Sequence, residues 1–223
     1  MSICNYNKNL FYGNIFYPED NNSAVVKCMK SNRVWEKKIV KIFRDNIKKD
    51  DIVVDIGTYI GLHTIELSKL SKKVISFEPQ PLVSACVKKT LTAMDINNVE
   101  HYHMALGNDI GWTNIHTNGN GDASIRGIRD KKFSQSFKCK LDKLDNIVKE
   151  KITLIKCDVE GYEWEVLSGA ISTIQEYKPI IILETFKTKK NLKLLNDFCE
   201  GFDYDMEYIS ADNYLLTSKL ENI

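Results

Sequence analysis

The 223-residue chain carries 31 basic and 30 acidic side chains, a formal net charge of +1, with 43% hydrophobic and 27% charged residues. That balance speaks against a dedicated nucleic-acid surface, which shows as a basic excess, and no run approaches the ~20 apolar residues of a membrane span. The polar stretch from Met1 to Asn9 has no apolar signal core, so the expectation is a cytoplasmic protein with no membrane partner.

Residues 1 to 50 read as a lead-in. Tyr17-Pro18-Glu19-Asp20-Asn21-Asn22 signals a turn, and the spacing of Val34, Trp35, Ile39, Ile42 and Phe43 predicts one helix from Ser31 to Ile47. The six cysteines are scattered, include no Cys-x-x-Cys pair and several fall within apolar patterns, so they are expected as free thiols.

From residue 51 the pattern alternates strand and helix, which predicts a single α/β domain over 51–223, built on a doubly wound, mostly parallel Rossmann-like sheet. The β-branched run Ile52–Ile56 suits a strand buried on both faces, and Gly57 and Gly61 flank the turn into a helix over Leu62 to Leu70. A dinucleotide fingerprint wants glycine where Tyr59 and Leu62 stand, and no Gly-Lys-Ser/Thr phosphate loop is present. Asp55-x-Gly57-x-x-x-Gly61 instead suits a ligand with an ammonium group and no pyrophosphate, such as S-adenosylmethionine.

A second strand, Val74 to Phe77, delivers Glu78 at its tip, 23 residues beyond Asp55, where an acid accepts hydrogen bonds from ribose hydroxyls. A helix from Leu82 to Met94 follows, then a third strand from Val99 to Leu106 whose end brings Met104 and Ala105 toward an adenine ring. His101 and His103 share a face of that strand without an evident third metal ligand. Between about 108 and 136 the rhythm breaks. The segment is glycine-rich and hydrogen-bonding, its ends read as short strands, and a long excursion of this kind is usually functional or disordered. We read it as a flap that helps select the acceptor and carries His116.

The pattern resumes with a short helix near Asp142 to Lys149 and a strand from Ile152 to Cys157 that ends in Asp158-Val159-Glu160-Gly161. The next helix has Val166, Leu167, Ala170, Ile171 and Ile174 as its buried stripe, and a strand from Ile180 to Leu183 is tipped by Glu184. A helix from Asn191 to Glu200, ending at Gly201, leads to an antiparallel hairpin over Tyr204–Ile209 and Tyr214–Thr217. Asp55, Glu78, Asp158 and Glu184 therefore all end parallel strands, the edge at which open α/β sheets bind ligands.

The ordered set Asp55-Ile-Gly57-Thr-Tyr-Ile-Gly61, Phe77-Glu78-Pro79, Ala105-Leu106-Gly107, Leu141-Asp142-Lys143-Leu144, Asp158-Val159-Glu160-Gly161-Tyr162-Glu163, Val166-Leu167-Ser168-Gly169-Ala170 and Leu183-Glu184 resembles the FkbM family of S-adenosylmethionine-dependent methyltransferases, over about residues 35 to 184. The resemblance implies a class I methyltransferase fold and methylation of hydroxyl oxygens on sugars or polyketide products. It implies that Asp55, Gly57, Gly61 and Glu78 hold the cofactor with Thr64 near its amino-acid end, and that Asp158 and Glu160 face the acceptor. Tyr59 stands where the family commonly has asparagine.

Since an alcohol oxygen needs a base to become a nucleophile, Asp158, Glu160 and His116 are the candidate proton acceptors. A divalent metal shared by Asp158 and Glu184 is the less favoured route. The polar flap suits a sugar or glycan acceptor. A non-carbohydrate small molecule, a protein acceptor, a silent cofactor-binding module and a nicotinamide oxidoreductase are the alternatives.

Overall fold

The computed structural model describes residues 4–19, 21–117, 123–125 and 135–219. The lead-in is more structured than its sequence predicts. Strands β1 (Cys4–Asn9) and β2 (Gly13–Pro18) form an antiparallel hairpin, followed by helices α1 (Ala24–Lys30) and α2 (Lys37–Asn46). The single helix expected over Ser31 to Ile47 is thus shorter. Asn32 and Glu36 take left-handed backbone conformations (φ 52° and 43°) that interrupt helical geometry between α1 and α2. Val34 and Trp35 do not join the stripe of α2; they pack with Tyr12, Ile15, Val26 and Met29 in an N-terminal cluster that also takes in Ile60, Leu62 and Ile65.

The central sheet has seven strands. In chain order its parallel strands are β3 (Ile52–Ile56), β4 (Lys73–Phe77) and β5 (Val99–Tyr102), then, beyond a smaller sheet, β10 (Leu154–Cys157) and β11 (Ile180–Glu184). The antiparallel hairpin β12 (Tyr204–Ser210) and β13 (Asn213–Ser218) completes it, in the spatial order β12-β13-β11-β10-β3-β4-β5. Helix α3 (Leu62–Leu70) links β3 to β4, and α4 (Pro81–Ala93) links β4 to β5. Both sheet faces are covered, which is why the strands read as nearly continuous apolar runs. Val53, Val74, Leu154 and Ile182 pack with Ile39 and Phe43 of α2 and Leu67 of α3. On the other face Val54, Ile75, Ile155 and Ile181 meet α5 (Leu144–Ile147), α6 (Glu163–Ser168), α7 (Ile171–Tyr177) and α8 (Lys189–Phe202).

Four expectations change. The strand predicted from Val99 to Leu106 splits at His103: Ala105 and Leu106 form β6 and pair with Leu141 and Asp142 in another sheet. The helix predicted after Asp158 breaks into α6 and α7 at Gly169, where an added Cβ would lie 1.9 Å from the Gly107 carbonyl oxygen. That break leaves Ile171 40% exposed instead of in the buried stripe. Helix α8 runs through Gly201 and ends at Phe202, capped by Asp203 in the left-handed region.

The excursion holds a four-stranded sheet in the order β6-β9-β7-β8, with β7 (Gly111–Thr117), β8 (Ala123–Ser124) and β9 (Gln135–Asp142). Strand β6 (Ala105–Leu106) runs parallel to β9, and β7 runs antiparallel to both β8 and β9. The parts of the proposed flap at 118–122 and 126–134 lie outside the described residues. All six cysteines are free thiols, five of them buried. Among the described residues no helix is long and apolar enough to cross a membrane.

Candidate active site

A cavity of about 550 Å³ opens at the C-terminal edge of the parallel strands, within the ~300–1,000 Å³ typical of small-molecule sites. Its floor is built by main-chain hydrogen bonds that continue the strand register. The Gly57 and Thr58 amides both donate to the Phe77 carbonyl (3.0 and 3.1 Å), Glu78 donates to Tyr102 O (3.1 Å), and Asp158 to Ile56 O (3.0 Å). Gly57 sits at φ 82°, and a Cβ there would lie 1.7 Å from the Asp158 carbonyl oxygen. The first turn and the Asp158 loop can touch only because residue 57 has no side chain.

At one end of the cavity Glu78, 3% exposed, is held by two amides: Tyr59 N–H donates to Oε2 and Gln80 N–H to Oε1, each at 2.9 Å. Burial pushes this carboxyl up to about 7, against the pull of those donors. Phe77, Met104, Ala105 and Leu106 supply apolar surface beside it. Tyr59 adopts φ 49°, and its hydroxyl donates to Ser23 Oγ (2.9 Å) while accepting from Asn21 Nδ2, which ties the first turn to the lead-in.

At the other end a buried lysine organises the acids. Lys156, 2% exposed, donates to Asp158 Oδ2 at 2.9 Å. Burial works against its charge, but Asp158, Asp55, Glu36 and Glu184 together raise its affinity for a proton. Asp158 is held below the usual carboxylate range: burial opposes ionisation, and Lys156 with a hydrogen bond from Glu184 overcomes it. Glu184, on the adjacent strand, is pushed up to about 9 by burial and by Asp158. At neutral pH the pair therefore shares one proton, carried by Glu184. Glu36 reaches the same end from its left-handed turn, with Oε2 2.8 Å from His63 Nε2 and Oε1 accepting from Asn213 Nδ2 at 3.2 Å. Burial opposes its ionisation, and His63 and Lys156 bring it below its ordinary value.

Of the residues singled out in the sequence, Gly57, Tyr59, Glu78, Met104, Ala105, Asp158, Glu160 and Glu184 line this cavity. Asp55 and Thr64 lie buried beneath it, with Thr64 Oγ1 donating to Asp55 Oδ2 at 2.5 Å. Gly61 caps α3 at φ 86°, and a Cβ added there would lie 3.7 Å from the Val87 methyl groups. His116 is not brought to the site. Ile115, its neighbour on β7, lines the cavity, Thr117 reaches Gln80 Oε1 (3.3 Å), and strand alternation turns His116 to the opposite face.

His101 is a packed histidine between Ser76 and Ser84 hydroxyls (2.8 and 2.9 Å), and burial lowers it to about 4. Asp158 and Glu184 follow paired ends of adjacent strands, and Asp158 is already paired with Lys156. Among the described residues no group of three or more His, Cys, Asp or Glu side chains is arranged to hold an ion. Reading by sequence missed Lys156, Glu36 and Trp35. The first was visible as a charge inside the apolar run Leu154–Cys157.

The seven-stranded sheet with its reversed hairpin and its acid-tipped cavity defines a class I methyltransferase fold. The methyltransferase FkbM domain matches residues 55–206, and the chain belongs to the FkbM methyltransferase family. It is similar to the hexuronic acid methyltransferase AglP of Haloferax volcanii, 25% identical over 158 residues, which cover 66% of this chain and 61% of that one. The methyltransferase FkbM structure from Methylobacillus flagellatus KT superposes with a TM-score of 0.58 at 17% identity, over 80% of this chain and 50% of that one. SMU.1697c from Streptococcus mutans, solved with SAH, gives 0.52 at 14% identity, over 81% and 94% of the two chains. The chain thus spans between half and two thirds of the length of the first two relatives.

Proposed function

We propose that the chain is an S-adenosylmethionine-dependent O-methyltransferase acting on a hydroxyl of a sugar or glycan. The observation that carries this reading is the division of one cavity into two chemically distinct ends. The Glu78 end, with an acceptor carboxyl beside apolar Phe77, Met104 and Ala105, fits an adenosyl group: the ribose hydroxyls donate to Glu78 and the adenine rests on apolar atoms. The Glu160 and Asp158 end fits an acceptor that donates hydrogen bonds.

When bound, the cofactor supplies an electrophilic methyl on a sulfonium. The chain's own contribution begins with alignment, because in-line displacement gains most from holding the acceptor oxygen opposite the sulfur. Asp158, ionised between Lys156 and the Glu184 hydroxyl, would accept a hydrogen bond from the acceptor hydroxyl and receive the proton that this hydroxyl loses. A base so placed is worth ~10²–10⁴-fold. Glu160, at φ 56° in the next turn, orients the same acceptor. The AglP name, which specifies a hexuronic acid, supports a carbohydrate acceptor.

The test is transfer of labelled methyl from S-adenosylmethionine to a panel of sugars, run with and without a chelator. Label in a sugar, insensitive to chelator, is the expected result. Proven cofactor binding with no label in any sugar overturns the carbohydrate reading, and loss of label with chelator moves Asp158 and Glu184 from proton transfer to metal binding.

A further inference from the structure

Tyr59 is fastened by two residues that lie outside the family-matched span 55–206. Its φ of 49° is in the left-handed region, which is unfavourable for a bulky side chain and persists only where the surroundings impose it. The lead-in supplies those surroundings. Buried Asn21 donates from Nδ2 to the Tyr59 hydroxyl, and that hydroxyl donates in turn to Ser23 Oγ at 2.9 Å. Both partners are themselves fixed. Asn21 Oδ1 accepts the Ser23 amide (3.0 Å), the Asn21 amide donates to Pro18 O (3.2 Å), and Ser23 Oγ caps α1 by accepting the Val26 amide (3.2 Å). The tyrosine side chain also packs against the N-terminal cluster of Tyr12, Ile15, Val26 and Met29.

The backbone of Tyr59 serves the other side of the turn. Its amide donates to Glu78 Oε2 at 2.9 Å, and Ser23, Tyr59 and Glu78 line the same cavity. Because φ is rotation about the N–Cα bond, relaxing residue 59 toward the ordinary region re-aims either this N–H or the chain beyond it. The hold on the hydroxyl and the aim of the amide are thus two ends of one constraint.

We infer that Asn21 and Ser23 are positioning residues of the cofactor site: by fastening the Tyr59 hydroxyl they hold residue 59 in its left-handed turn and keep its amide on the carboxyl that receives the ribose hydroxyls. This rests on the S-adenosylmethionine reading above and deepens it. The lead-in is then part of the cofactor site as well as a packed extension of the fold.

The experiment titrates S-adenosylhomocysteine into the whole chain by calorimetry, with urea unfolding run on every variant. Tyr59→Phe keeps the ring and removes both hydroxyl bonds; it is expected to weaken binding about three- to tenfold, and Asn21→Ala by a similar factor. Combined, they weaken it no further than Tyr59→Phe alone, since both act through one hydroxyl. Asn9→Ala loosens the lead-in elsewhere, by removing the bonds of Asn9 to the Met29 carbonyl and to the Phe11 and Tyr12 amides. It is expected to lower stability and leave affinity unmoved. The pH profile gives a second readout. Glu78 faces Asp55 and the amides of Tyr59 and Gln80, and loosening a donor to its charged form moves the rise of affinity with pH upward in Tyr59→Phe. Unchanged affinity or an unmoved profile in Tyr59→Phe, an additive double variant, or an equal loss in Asn9→Ala overturns the inference and leaves the cofactor reading standing. Should Tyr59→Phe fail to fold, Ser23→Ala tests the same bond with the tyrosine in place. If the parent binds neither S-adenosylmethionine nor S-adenosylhomocysteine, the cofactor reading itself falls, and the inference with it.

Discussion

Lys156 Nζ lies 2.9 Å from Asp158 Oδ2, an ion pair between two residues of the same strand end, with the lysine side chain only 3% exposed. The ammonium is the counter-charge for Asp158, Asp55 and Glu36 together, so the acids at the strand tips are stable as a group only while it is present. Removing one partner of a buried pair leaves an uncompensated charge, at a cost of ~3–5 kcal/mol. Lys156→Met, which keeps the stem and removes the charge, is therefore expected to destabilise by about that amount, measured by urea unfolding at pH 7. A change within ~0.5 kcal/mol, typical of surface sites, would show that the pair is solvated and not organising.

Glu184 carries the proton of the Asp158 pair, and this gives stability a sign. Its folded value, about 9, is above its ordinary carboxylate range. The folded state thus holds a proton that the unfolded chain has lost, and stability is full below the ordinary range and declines as pH rises toward about 9. Glu184→Gln keeps a donor facing Asp158 and removes the titration. The variant should match the parent near pH 5 and become the more stable of the two by pH 8.5, which thermal unfolding across that range would read directly. Parallel curves would sink the shared proton.

Gly57 supplies a cleaner mechanical test. A methyl group at residue 57 meets the Asp158 carbonyl oxygen at 1.7 Å, in a backbone region that L side chains rarely adopt. The conformation alone costs ~1–3 kcal/mol for a non-glycine residue, and the overlap must push the Asp158 loop away from β3. Gly57→Ala is expected to lose both stability and cofactor affinity, seen by calorimetric titration of a folded sample. Intact cofactor binding would mean that the two loops need not touch.

How far the site was legible in the sequence depends on whether neighbours in the chain set it. The strand Ile52–Ile56, the helix Leu62–Leu70 and the tips Glu78, Asp158 and Glu184 follow from local runs bounded by glycine and proline, and the structure has them at those positions. Glu36 was not legible. Its turn arises from two left-handed residues that no spacing announces, and Val34 and Trp35 mimic a helical stripe while serving another cluster. His116 fails for a related reason. Alternation says that His116 opposes Ile115 but not which of the two faces the cavity, and that is decided by pairing to β9 and β8. Ile171 fitted the 3.6-residue period until contact of Gly169 with Gly107, 62 positions away in the chain, broke the helix.

The last prediction concerns Glu78, whose two oxygens already accept the Tyr59 and Gln80 amides and whose proton affinity sits near neutrality, at about 7. An ionised carboxylate is the stronger acceptor for ribose hydroxyls, and charge-assisted hydrogen bonds are worth ~1.5–3 kcal/mol. Cofactor affinity is therefore expected to rise as pH increases through about 7, because below that point binding must first displace a proton. Glu78→Gln should flatten this dependence and weaken binding ~10–100-fold at pH 8, since an amide offers one acceptor oxygen where the carboxylate offers two and turns a donor toward one of the amides. Isothermal titration in two buffers of different ionisation heat separates the cases. Proton release on binding at pH 6.5 in the parent, absent in the variant, supports Glu78 as the ribose anchor. No proton release in the parent, with unchanged affinity in the variant, would place the ribose elsewhere along the strand tips.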